Sequence, residues 1–124
     1  MIDQQVQHIE RLLYQIRASR LPDDGLTVHW IDDAEKAEAL RDDDGTVFEL
    51  RLPTIKSGDD YATCLHEIGH ILGRDQDSED VVKLERAAWR WARNNALTWT
   101  DEMKRTARES INYYRALHSR SRGR

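Results

Sequence analysis

Two histidines four residues apart, in the run His66-Glu67-Ile68-Gly69-His70, constrain this chain more than any other feature of it. On a helix, residues at this spacing lie one turn above each other, so both imidazoles can reach a single ion. The flanking sequence fits a helix. Tyr61, Leu65, Ile68, Gly69 and Leu72 mark a buried face, Lys56 to Asp60 reads as a loop leading to a cap, and Gly73 ends the segment. The alternative is a pair of hydrogen-bonded core histidines, but two imidazoles and a glutamate on one buried face are costly unless something pairs with them.

Zinc suits such a pair, because its tetrahedral preference leaves one place for a third protein ligand and one open. Glu67 lies about 100° around the helix from His66, at the edge of the metal-bearing face. From there its carboxylate can act on a water as general base without ligating the metal. With Cys64 the only cysteine, a disulfide within the chain and a Cys-based zinc site are both excluded; Cys64 itself reads as a small buried filler.

The third ligand separates the subclasses. In the next helical segment Val81, Glu85, Ala88 and Ala92 share a face, which sets Glu85 among apolar neighbours where an unpaired carboxylate is expensive. Ligation explains it; pairing with Arg86 or Arg90 is the competing account. Asp75, Asp77, Glu79 and Asp80 in the intervening loop are rivals. The longer signature H-E-x-x-H-x-x-G-x-x-H/D is matched through Gly73 but has Gln76 in its last position, with Asp75 one residue early and Asp77 one late. Tyr113, Tyr114 and His118 are the candidates for a donor to an oxyanion.

A chain of 124 residues fits one domain, expected over residues 1–118 with a basic, flexible tail over 119–124. Charged residues at 34% make it polar, yet 39% hydrophobic residues suffice for a modest core. Ile2, Val6, Ile9, Leu13 and Ile16 predict a first helix over Asp3 to Ser19, and Leu21 to Gly25 a turn. Leu26 to Ile31 reads as a strand, and Asp32 or Asp33 as the cap of a short helix through Leu40. Asp42 to Gly45 reads as a turn, and Thr46 to Leu52, where Val47, Glu49 and Arg51 alternate with Phe48, Leu50 and Leu52, as a half-buried strand ended by Pro53. Ser78 or Asp80 caps a helix to about Asn94, and Thr98 to Thr100 precedes a last helix from Asp101 to about His118. The expected order is α-β-α-β-α-α-α, an α+β domain with a short sheet and a helical C-terminal half.

The run Glu85-Arg86-Ala87-Ala88-Trp89-Arg90-Trp91-Ala92, following a strand, a loop and the H-E-I-G-H helix, resembles the ImmA/IrrE-type metallopeptidases. It is similar to that family's E-x-E-A-x-x-F-A pattern, with Ala87 and Trp91 as departures. The resemblance covers Thr46 to Ala92 and implies a zincin-like domain of the gluzincin kind, with His66, His70 and Glu85 on zinc and Glu67 as base. It implies further that the strand near Thr46 to Leu52 lines the cleft and receives substrate as an added strand. Family members are typically encoded by bacteria, phages and mobile elements, and several cleave repressors or stress regulators. The short interval between His70 and Glu85 is a departure from many of them.

The expected activity is therefore zinc-dependent hydrolysis of a peptide bond in a specific protein partner, such as a DNA-binding regulator. The competing account is a metal-stabilised regulatory module that binds a host protein or nucleic acid without cleaving it. Nucleic-acid binding by the last helix and tail is a third account, against which the net charge of −4 counts. No apolar run reaches the ~18 residues of a membrane span, and Met1 to Gln5 lacks the basic and apolar blocks of a secretory signal, so a cytoplasmic location is expected.

Overall fold

The computed structural model of the chain describes residues 2–20 and 25–122. Helix α1 (Ile2–Ala18) is followed by strand β1 (Thr27–Ile31), a single 3-10 turn (Ala34–Lys36), strand β2 (Glu38–Arg41) and strand β3 (Val47–Pro53). Helices α2 (Gly58–Leu72), α3 (Val81–Asn95) and α4 (Asp101–Arg122) complete it. The expected turn at Leu21 to Asp24 lies outside the described residues, as do Gly123, Arg124 and the side chains of the tail from Ser119. The backbone of α4 continues to Arg122, beyond the expected end near His118. Among the described residues no helix is long and apolar enough to cross a membrane.

The fold is α+β, four helices with a three-stranded mixed sheet ordered β1-β3-β2. β3 runs parallel to β1 and antiparallel to β2. Two expectations are corrected by the sheet. Residues 32–40 do not form a helix: Asp33 caps only one 3-10 turn, and Glu38 to Arg41 then pair with β3. Ala, Glu, Lys and Leu favour helix locally, but β3 would otherwise present an unpaired edge, and pairing overrides the propensity. Nor does β3 alternate strictly. Leu40 faces Glu49 while Arg41 faces Val47, so Phe48 is the extra residue of a bulge. Val47 consequently turns into the core and Phe48 is 42% exposed.

The core lies between the sheet and the helices. Ile9, Leu13 and Ile16 of α1, Leu50 and Leu52 of β3, and Tyr61, Leu65 and Ile68 of α2 are all buried together. Tyr61 ties three segments, since its hydroxyl accepts from the Leu97 N–H at 2.9 Å and lies 2.6 Å from His8 Nδ1. Helix α2 starts at Gly58, inside the segment that the sequence pattern assigns to a loop, because Ser57 is the N-cap and accepts from the Asp60 N–H. Its far end is set by a close approach. A Cβ on Gly73 would meet the Gly69 carbonyl oxygen at 2.5 Å, and one on Gly69 would meet the Ala88 carbonyl oxygen at 2.6 Å. Gly69 thus lets α2 and α3 cross almost backbone to backbone, and the crossing fixes how the side chains on either side of it face one another.

Candidate metal centre

His66 and Glu85 each lie three residues before the Gly69/Ala88 crossing, His66 on α2 and Glu85 on α3, so both side chains project on the same side of it. His66, Glu67, His70 and Glu85 are all buried, with 5–9% of their surface exposed. His66 Nε2 stands 2.5 Å from Glu85 Oε2, and His70 Nε2 stands 3.3 Å from the same oxygen. One donor atom from each of these three residues lies within 4.8 Å of the other two, a set able to hold a metal ion. Glu85 therefore faces the histidines rather than Arg86 or Arg90.

Glu67 stands beside this set without joining it. Its Oε1 is 4.0 Å from His70 Nε2 and its Oε2 is 3.5 Å from His66 Nδ1, the ring nitrogen that does not face Glu85, within reach of a water lying between. The electrostatics are those of a site that wants a cation. Burial opposes the charge on His66, yet the carboxylates of Glu67 and Glu85 outweigh it and raise its pKa to about 9. Burial likewise opposes the charge on Glu85, and hydrogen bonds from His66 and His70 outweigh it and hold the carboxyl at about 2.

The two imidazoles are oriented from behind. His66 stacks on Trp89 of α3 at 4.2 Å and 8° between ring planes. His70 Nδ1 donates to Gln76 Oε1 at 2.9 Å. The amide cannot be turned round, because Gln76 Nε2 donates to the carbonyls of Arg74 and Leu84 while its oxygen also accepts from Arg41 at 3.0 Å. Gln76 thus fixes a proton on Nδ1, so that Nε2 would be the nitrogen free to ligate an ion in place of its contact with Glu85. Arg41 donates further to the carbonyl oxygens of His70, Gln76 and Gly45.

The rival ligands fall away. Asp75 and Asp77 are exposed, Asp75 with a left-handed φ of 58°, Glu79 is exposed, and Asp80 caps α3 by accepting from Val82 and Lys83. Of the three candidate oxyanion donors, Tyr114 lines the cleft, while Tyr113 is 61% exposed and His118 does not border it. Burial first, and then the negative charges of Glu85 and Glu67, push the Tyr114 hydroxyl up to about 12, so it stays protonated as a donor. Cys64 is buried on the other side of α2 and donates to the Pro53 carbonyl.

In the sequence Gln76 stands out only as the residue that breaks the longer signature, and Arg41 does not stand out at all. The family resemblance also implies the wrong strand as the cleft wall. β3 is paired on both edges, whereas Ala37, Glu38, Ala39 and Arg41, in and beside the edge strand β2, line the cleft. The cleft encloses about 260 Å³. Compared with known proteins, the chain matches no family model, no curated protein and no solved structure.

Proposed function

We propose that the chain is a zinc-dependent metallopeptidase of the ImmA/IrrE kind, a zincin-like domain that hydrolyses a peptide bond in a specific protein partner. The single observation that carries this reading is the convergence of two imidazole nitrogens and one carboxylate oxygen, with a second, unligated carboxylate at 4.0 Å, in a cleft bordered by an edge strand. Two nitrogens and one oxygen are a catalytic zinc set, and zinc bonds of ~2.0–2.1 Å require donors about 3.3 Å apart. The His70–Glu85 pair already has that separation, and the His66–Glu85 pair needs to open by less than an ångström.

When bound, zinc supplies a Lewis acid and brings the pKa of a water near ~7. Glu67 takes the proton from the attacking water and returns it to the nitrogen of the departing amine. Tyr114 donates its hydroxyl proton in a hydrogen bond to the carbonyl oxygen as negative charge develops there. The unpaired edge of β2 aligns the scissile segment in extended form through main-chain hydrogen bonds. A cleft this small admits few side chains, so the enzyme is selective and digests casein poorly.

The test compares wild-type protein with Glu67→Gln, both shown to carry one zinc, on the proteome of a bacterial host, with new N-termini read by mass spectrometry. Termini made by the wild type and absent with Glu67→Gln are expected. The same termini from both, or none from a zinc-loaded wild type, would sink the proposal.

A further inference from the structure

Along a neighbouring face of α3, α3 and α4 enclose a second groove of about 340 Å³ that shares no lining residue with the cleft holding His66, His70 and Glu85, although Trp89, which stacks on His66, stands in its wall. Its cations stand in two facing stripes. Arg86, Arg90 and Arg93 recur at steps of four and three along α3, and Lys104, Arg108 and Arg115 at steps of four and seven along α4. All six are exposed, no carboxylate lines the groove, and among the described residues none of the six makes an ion pair. This concentration runs against the sign of the whole chain, whose net charge is −4.

Six unpaired cations repel one another and weaken folding, so an anionic occupant would relieve a cost already built into the surface. Five of the six are arginines, whose planar fork binds phosphate oxygens bidentately. The α4 stripe runs for about 16 Å at 1.5 Å per residue, too long for a single phosphate. Between the stripes lie Trp99, half-buried, and Ile111, a surface on which bases can stack. The buried indole N–H of Trp89, also in the groove lining, has no hydrogen-bond partner.

We infer that this groove binds single-stranded nucleic acid, its phosphodiester backbone tracked by the two cationic stripes and its bases resting on the Trp99 side. A duplex would keep its bases stacked inside and an acidic peptide has none, so either would leave the Trp99 side unused. The inference does not depend on hydrolysis at the metal centre.

Fluorescence anisotropy with a labelled oligothymidylate of about 12 nucleotides tests it. Binding is expected at about 50 mM salt, with log Kd rising against log salt at a slope of about 3 to 4, as four to six neutralised phosphates require. Arg90→Glu/Arg108→Glu should weaken binding at least tenfold with a melting temperature at or above that of the wild type, and the milder Arg86→Gln/Arg93→Gln should weaken it less. No binding at low salt would overturn the inference. So would wild-type affinity in both double variants, which would put the site elsewhere. Equal competition by polyglutamate or by a duplex of the same length would also overturn it.

Discussion

Replacing Gly69 by alanine tests the link between helix packing and the metal donors. In an ordinary helix interior the change is favourable, because alanine is better than glycine by ~1 kcal/mol. Here the new Cβ would lie 2.6 Å from the Ala88 carbonyl oxygen and 3.1 Å from the Ala88 Cα, where ordinary contact begins at 3.4 Å. The obstacle is backbone, so no rotamer change relieves it and α2 and α3 must part by most of an ångström. Overpacking of this kind costs ~1–3 kcal/mol, enough to reverse the propensity gain. The net loss of up to about 2 kcal/mol lowers the melting temperature of a chain this size by up to about 10 °C. The same parting draws Glu85 away from His66 and His70, so zinc affinity should fall by about tenfold or more, the range seen when a ligand loses its support. Thermal melts with and without zinc, and competition against a chromogenic chelator, measure both quantities. Gly58→Ala is the control, since its Cβ would meet only the flexible Met103 side chain at an ordinary 3.6 Å. A Gly69→Ala protein that melts at or above the wild-type temperature and binds zinc equally well would refute the argument that this crossing positions Glu85.

Three further outcomes are expected of the site. With His66 held at about 9, zinc uptake at pH 7.5 should displace about one proton from it, whereas an imidazole at its ordinary 6.5 would release ~0.1; calorimetry in buffers of different ionisation enthalpy counts them. In chelator-treated protein, the raised pKa of His66 contributes stability in full below 6.5, lost as pH rises through about 9. The lowered pKa of Glu85 contributes above 4.5, lost as pH falls through about 2. Melting temperature should therefore peak between pH 4.5 and 6.5 for this pair and decline toward pH 9, and a flat profile there would contradict the pairing. Gln76→Leu removes the acceptor that fixes the His70 tautomer and should weaken zinc binding by about 10- to 100-fold while Glu67→Gln leaves it intact; equal affinities in the two variants would count against that role.

The convergence of His66, His70 and Glu85, a set able to hold a metal ion, was legible because its signal is local. His66 and His70 declare themselves by spacing on one helix, and Glu85 by being a carboxylate on an apolar stripe. The helices were legible to within a turn for the same reason. What failed depends on partners distant in sequence. Glu35 to Leu40 looks helical until β3 is present to pair with it, and Val47 looks outward until the bulge at Phe48 turns it in. Gln76 and Arg41 carry no pattern at all. Their roles exist only because the loop after α2 folds back beneath His70 and the edge strand crosses above it.

Arg41 has a thermodynamic corollary. One guanidinium on the edge strand grips the His70 carbonyl, the Gln76 backbone and the Gln76 amide that steers the His70 ring. It does so at the bulge, where β2 changes register against β3. A polypeptide laid along β2 and an ion held by His70 therefore act on the same few atoms. Whatever factor the ion contributes to peptide affinity, the peptide must return to ion affinity. A partner that docks well would tighten the metal before any bond is broken, and a chain stripped of its metal would also lose its grip on the partner.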